Sequence, residues 1–594
     1  MNNIALISSV LLLAVGPSSH YQIDLTRYYA SAGAEATGRA QLQRHVQEFL
    51  RVSPAAGAQS LTSWLASFET LLKSVRKHDA YVYLKAERDV GDVQDAQADV
   101  AMAALETTLD TRIDVEIARL GRSRLERLLN DSQSLRPFRY LIESSLDRSS
   151  HSPSVAQAHA VATIAAPALQ ALRDSYRSLR RSAIAAAPKI ASADREQAFH
   201  ARWAAVAAHE DAFASQLIGI ASIENGIAHA RGFSSAADAA YFDQGLATAS
   251  VQRILSAVRA SDAERRYEAV RATEAARRLE IGARSVHVWD LAAADSFSPP
   301  AVPFEQAIPL IIAAERPMGA TYSSEYVALL EPNNHRVDLC TNSQCDQTGF
   351  SEGFAGFASG LYFGGYQETI NNVRAVAHEA GHAVHRQFMN EHQPVASYNT
   401  GPNYMFESFA IFNELLLWDH LSKAAATNAE RAYYLDAFLD DATFQVFGSA
   451  EESDLEAHIY TAVQTGNART AADLDALTSR IFARYTPRLA AEHDVSVYWA
   501  RDSLYFTDPL YDVNYLYAGL LALCYFDRFE RDPSAFATRY VALLENGFTE
   551  APARLERDYL GIDLEDEPGL VREATSLLDA RAQSLAKVYV GRAK

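Results

Sequence analysis

The sequence predicts a mainly α-helical fold carrying one small β element. Three observations point there. From Tyr21 to Arg284 the chain reads as successive segments rich in Ala, Leu, Arg and Glu with helical spacing of apolar residues. Thr369 to Phe388 contains no Pro and sets Ile370, Val373, Ala377, Ala380 and Val384 on one face of a helix. A strand-like, glycine-dense stretch lies just before that helix, between Tyr326 and Tyr366.

Taken in order, the 594 residues begin with an apolar run, Ile4 to Gly16, of secretory-signal length and too short to span a bilayer comfortably. Gly16-Pro17-Ser18-Ser19 supplies small residues for cleavage, although no Lys or Arg precedes the run. Residues 1–19 are therefore read as an export signal, which puts the mature protein in the periplasm or outside the cell. An ordinary N-terminus in a cytoplasmic protein is the alternative. No later stretch is apolar enough to cross a membrane, so no stable insertion is expected. The composition, 48% hydrophobic and 22% charged, is that of a chain able to bury a large core. With 74 acidic against 54 basic residues the net charge is −20, which argues against nucleic acid or an anionic membrane as partner.

Within the long helical region, Val100 to Leu129 keeps helical spacing with few breakers. Pro137, Pro153, Pro167 and Pro188 punctuate the later helical segments. No fixed-period repeat is present, which argues against a solenoid. Further on, Tyr326–Leu330 and Arg336–Cys340 flank Glu331-Pro332-Asn333-Asn334-His335 and read as a hairpin. Gly353 to Tyr366 has the glycine density of backbone that approaches something closely. It reads either as an extended edge able to pair with peptide main chain or as a flexible loop. Cys340 and Cys345 are near enough for a small-loop disulfide or remain two thiols; Cys524 lies in an apolar run and reads as core.

The chemistry concentrates in His378-Glu379-Ala380-Gly381-His382. On a helix, His at i and i+4 are one turn apart, about 6 Å along the axis, and point the same way. That spacing suits two nitrogens of a tetrahedral Zn²⁺ site, and Glu379 can act as general base toward a water at the open position. A surface helix with two solvated His is the bland alternative; the apolar anchoring face argues against it. A catalytic site needs a third protein ligand. Glu407 lies 25 residues after His382, near the start of a second helix-like run, Tyr404 to Trp418, and sits among Phe406, Phe409 and Phe412 where an unpaired carboxylate is costly. The loop from Gln393 to Asn403 lets that helix return antiparallel. Glu414, two turns beyond, either orients a metal-bound imidazole or is a surface carboxylate. Tyr511 and Tyr515, i and i+4, share a face and can donate to an oxyanion; without the zinc motif they would read as core.

These segments resemble the oligoendopeptidase F branch of the thimet oligopeptidase and neurolysin family of zinc metallopeptidases. The likeness includes His-Glu-Ala-Gly-His, the Glu407–Glu414 helix at the family's interval, and the upstream segments Arg139–Glu143, Gly232–Phe242, Trp289–Leu291 and Pro317–Tyr322. It runs from about residue 130 to 525 and is strongest over 360–415. The resemblance implies a two-lobed helical fold with a deep substrate channel, a helical N-terminal lobe over 20–200 and a catalytic domain over 201–594. It implies one Zn²⁺ held by His378, His382 and Glu407, with Glu379 as base and Tyr511 and Tyr515 contacting substrate. Short unfolded peptides would be cut internally; an exopeptidase on the same scaffold, or a non-catalytic peptide-binding protein, are the alternatives. The family commonly has a His shortly before the two tyrosines. None lies between Trp499 and Gly519 here, so one transition-state donor is missing or comes from elsewhere.

Overall fold

The computed structural model describes residues 21–152, 157, 160–186, 194–342 and 344–591. The expected signal segment, Pro153 and Pro188 lie outside the described residues. Short turns aside, the N-terminal helices are α1 (Ala32–Leu50), α2 (Ala58–Arg88), α3 (Val93–Leu120), α4 (Arg122–Asp131) and α5 (Arg139–Ser149). The stretch through Leu129 expected to keep helical spacing is two helices, because Gly121 adopts φ +81°, a left-handed conformation open to glycine. These five helices bury Leu65, Phe68, Leu72, Ile113, Ile117 and Ile142 in a core that Val395, Ala396 and Tyr398 join from farther along the chain.

A larger core collects most of the remaining chain. Ahead of the sheet stand α6 (Ala166–Ala186), α7 (Arg195–Ala207), α8 (Glu210–Ala230), α9 (Ala236–Asp243), α10 (Thr248–Ala260), α11 (Ala263–Leu279), α12 (Phe304–Glu315) and α13 (Gly319–Leu330). Beyond it come α14 (Ile370–His392), α15 (Asn403–Ala424), α16 (Asn428–Thr443), α17 (Ser449–Gln464), α18 (Ala471–Tyr485), α19 (Asp512–Arg531), α20 (Pro533–Asn546) and α21 (Glu567–Gly591). A cavity of about 890 Å³ lies between the N-terminal helices and the larger body, and a second, of about 420 Å³, lies within the larger body; both touch Asp243. Tyr140 and Tyr398 line the larger cavity, and the Leu141 N–H donates to the Tyr398 hydroxyl (3.2 Å).

The sheet differs from the expected hairpin. Tyr326–Leu330 ends α13, because Tyr322, Tyr326, Leu329 and Leu330 bury a helical face, with the Tyr322 hydroxyl donating to Asn413 (2.9 Å). The strands are β1 (Val337–Cys340), β2 (Gly349–Glu352) and β3 (Gly360–Gly364), in the order β1-β3-β2. β1 runs parallel to β3, Val337 opposite Leu361, and β2 runs antiparallel to it, Gly349 opposite Phe363. The glycine-dense stretch therefore supplies the central strand, and the edge expected there belongs to β2. Leu361 and Phe363 of β3 enter the large core, whereas Tyr362 points toward α2 and donates to the Glu87 carbonyl (3.0 Å). The glycine density has a local cause: a Cβ on Gly364 would stand 1.8 Å from the Asp346 carbonyl oxygen. Cys340, ending β1, is disulfide-bonded to Cys345; Cys524 is free and buried.

Candidate active site

α14 starts at Thr369, whose side chain accepts from the Asn372 N–H, and is anchored by Ile370, Val373, Val376, Ala377, Ala380 and Val384. α15 is buried on every face from Tyr404 to Asp419, as befits a helix at the centre of the molecule. The two run antiparallel: Arg374 meets Glu414, His382 meets Glu407, and His385 meets Phe406. Gly381 sets their separation. A Cβ there would lie 2.5 Å from Asn413 Nδ2 and 3.1 Å from Ala410 Cα, so the interval between the two His can be filled only by a residue without a side chain.

That approach brings three donors together. His378 Nε2 is 3.4 Å and His382 Nε2 3.7 Å from Glu407 Oε2, and the imidazole rings stand nearly perpendicular. Glu407 Oε2 is buried without a hydrogen-bond donor. Burial opposes its charge, but the two imidazoles facing it hold its pKa well below the usual carboxylate range. Ligand bonds of about 2.1 Å in a tetrahedron set donor atoms about 3.4 Å apart, so a zinc-sized ion fits this trio. The two nitrogens and one carboxylate oxygen are also a common donor set for that metal.

The surroundings hold the trio in place. His378 Nδ1 contacts Glu414 Oε1 at 2.5 Å; Glu414 Oε2 accepts from Arg374 at 2.6 Å. Arg374 also faces Asp441 Oδ2 at 3.5 Å, which accepts from the Trp418 indole at 2.6 Å. Burial lifts Asp441 to about 7. The sequence reading did not single out Arg374 and Asp441; Arg374 lies one turn before His378 on the same face and could have been found from that spacing.

Glu379 is held beside β2, whose Gly349 leaves room for it: a Cβ there would come within 2.8 Å of the Glu379 side chain. Burial, with the Glu407 and Glu414 charges adding to it against the two imidazoles, raises its pKa. Tyr511 stands immediately before α19 and donates to Glu407 Oε1 at 2.9 Å. Tyr515, one turn on, packs against Tyr511 at 5.3 Å; burial and the Glu407, Asp512 and Glu379 charges raise its hydroxyl pKa well above the usual value. Tyr511 also lines the smaller cavity. The third His of α14, His385, turns away among Phe406 and Phe409 and is held neutral by burial. All seven residues expected at the site thus lie in one neighbourhood.

Residues 191–573 match the model of Peptidase family M3. The chain belongs to that family. Among relatives, it is 30% identical over 158 residues to an oligoendopeptidase F homolog of Lactococcus lactis subsp. lactis, covering 25% of this chain and 26% of that one. It is 21% identical over 400 residues to oligopeptidase PepF of Bacillus subtilis, 67% of this chain and 58% of that one. The chain thus spans from about a quarter to 58% of these curated relatives' lengths. Solved structures share the fold: a putative peptidase from Chlamydophila abortus (TM-score 0.76, 19% identity, 96% of this chain and 98% of that one) and oligoendopeptidase-F from Enterococcus faecium (0.64, 17%, 93% and 98%). Within M3, the chain is therefore oligoendopeptidase F-like.

Proposed function

We propose that this M3 peptidase is a zinc-dependent endopeptidase acting on short, unfolded peptides. One observation carries the reading: two imidazole nitrogens and a donorless, buried carboxylate oxygen converge at ion-binding separations, with Glu379 beside them. His378, His382 and Glu407 hold the metal. Bound there, zinc supplies a Lewis acid for the scissile carbonyl and acidifies the attacking water. Glu379 takes a proton from that water as its oxygen adds to the carbonyl carbon, and returns it to the amine nitrogen as the C–N bond breaks. Burial raises the Glu379 pKa, the direction that favours accepting the proton. Tyr515 donates to the oxyanion. Tyr511, bonded to Glu407, positions that carboxylate and can turn to substrate. The edge of β2 beside Glu379 offers main-chain pairing to an extended peptide.

The apolar run in residues 1–19 and the Cys340–Cys345 bond both support export to an oxidising compartment. Glu379→Gln tests the catalytic reading: it should retain stoichiometric zinc and lose hydrolysis, and an active variant would refute the assignment. Product masses from an end-blocked peptide of nine or ten residues separate internal cleavage from release of terminal residues. The second outcome is the exopeptidase alternative on this scaffold.

A further inference from the structure

A second group of convergent oxygens lies behind the tyrosines. Glu452 is on α17, Asp502 in the turn after Tyr498–Arg501, and Asp512 is the first residue of α19; one carboxylate oxygen from each lies within 4.8 Å of the others. Glu452 and Asp512 are buried, Asp502 partly exposed. Glu456, one turn from Glu452 and wholly buried, borders them and feels the Asp502 and Glu452 charges.

The partners of this group leave acceptor capacity open. Glu452 Oε1 accepts from the Tyr498 hydroxyl, Asp502 Oδ1 from the Leu504 N–H (2.9 Å), and Glu456 Oε1 from the Leu510 N–H (2.8 Å). Asp512 Oδ2 and Glu456 Oε2 are buried with no donor. Arg501 opposes the charge of Glu452, and Arg180 and Arg501 that of Asp502, yet burial, with Asp502 adding to it, still lifts Glu452 to about 8. Buried carboxylates this close require protons or a cation between them.

We propose that Glu452, Asp502 and Asp512, backed by Glu456, form a divalent-cation site of the calcium type. An all-oxygen donor set selects hard ions over zinc or copper. Three carboxylates, two of them buried, suit Ca²⁺, which takes many oxygen ligands in flexible geometry, better than Mg²⁺, which keeps several of its waters. Partly exposed Asp502 gives the ion a way in. The site would tie α17 to the start of α19, and with it the left-handed Leu510 (φ +61°) that precedes Tyr511. It would therefore set the position of Tyr511 and Tyr515 without contacting substrate. This inference does not depend on the catalytic reading.

The test uses zinc-loaded full-length protein, with zinc content measured throughout. Equilibrium dialysis against Ca²⁺ should find one ion per chain, and saturating Ca²⁺ should raise Tm by a few degrees through mass action. Asp512→Asn and Glu452→Gln should lose both effects while keeping zinc. Asp502→Asn, at the exposed edge, should weaken Ca²⁺ binding at least tenfold and serves if the buried variants do not fold. Absence of bound Ca²⁺ in the wild type, or affinity unchanged in a folded variant, would overturn the proposal in favour of carboxyl groups sharing protons.

Discussion

Glu414 Oε1 sits 2.5 Å from His378 Nδ1, which turns the other ring nitrogen, Nε2, toward Glu407. The same carboxylate takes Arg374 on its second oxygen, so α14 is tied to α15 at two points on either side of one turn. A ring nitrogen oriented this way is a better metal ligand, because its tautomer and tilt are set before the ion arrives.

Glu414→Gln should therefore lower zinc affinity about 10- to 100-fold while leaving the helical spectrum intact. Competition with a chromophoric chelator measures it. Unchanged affinity would mean that Glu414 serves only Arg374.

The two tyrosines should separate by kinetics. On the proposed mechanism Tyr515→Phe removes an oxyanion donor, and it is expected to cut kcat by about 10²–10³ with little change in KM. Tyr511→Phe removes the hydroxyl that Glu407 Oε1 accepts from, and should show a weaker-binding metal as well as a slower reaction. Steady-state kinetics at saturating zinc, beside metal titrations, distinguish the two patterns.

Gly381→Ala forces a methyl between α14 and α15. Asn413 can swing away from the 2.5 Å contact, but the Ala410 backbone at 3.1 Å cannot. The expected cost is about 1–3 kcal/mol, read as a lower denaturation midpoint, with loss of activity because the two ligand helices part.

Glu556 provides a pH test away from the site. Burial raises its pKa to about 8, against the bond from the Tyr525 hydroxyl (2.5 Å). The folded state binds this proton more tightly than the unfolded chain. Its stabilisation is complete below the unfolded value near 4.5 and is lost as pH rises through about 8. Tm should fall between pH 6 and pH 8.5 more steeply in the wild type than in Glu556→Gln, a difference of at most about 3 kcal/mol in stability over that window. Parallel slopes would assign the pH dependence to other groups.

Most of the helical content was legible because its signals are local. The 3.6-residue apolar spacing of residues 369–388 and the His-Glu-x-x-His interval both lie within one helix, and a sequence displays such relations directly. The sheet was misread for the same reason. Tyr326–Leu330 is apolar enough for strand or helix, and its fate was decided by partners such as Asn413, 91 residues from Tyr322. Strand order was equally hidden, since β3 in the middle depends on Leu361 and Phe363 finding α14 while Tyr362 finds α2.

By itself, then, the sequence determined the helical class, the two histidines on one face, the acid beside them, and a distant Glu407 able to return to them. Only the tertiary structure decided that Glu414 orients His378, that Tyr511 reaches Glu407 across 104 residues, that β3 is the central strand with β2 at an edge, and that three further carboxylates meet at the start of α19. The physical reason is range. Periodicity and spacing are set by backbone geometry within a few residues, whereas convergence of side chains depends on which apolar faces bury each other, and that is settled by the whole chain at once.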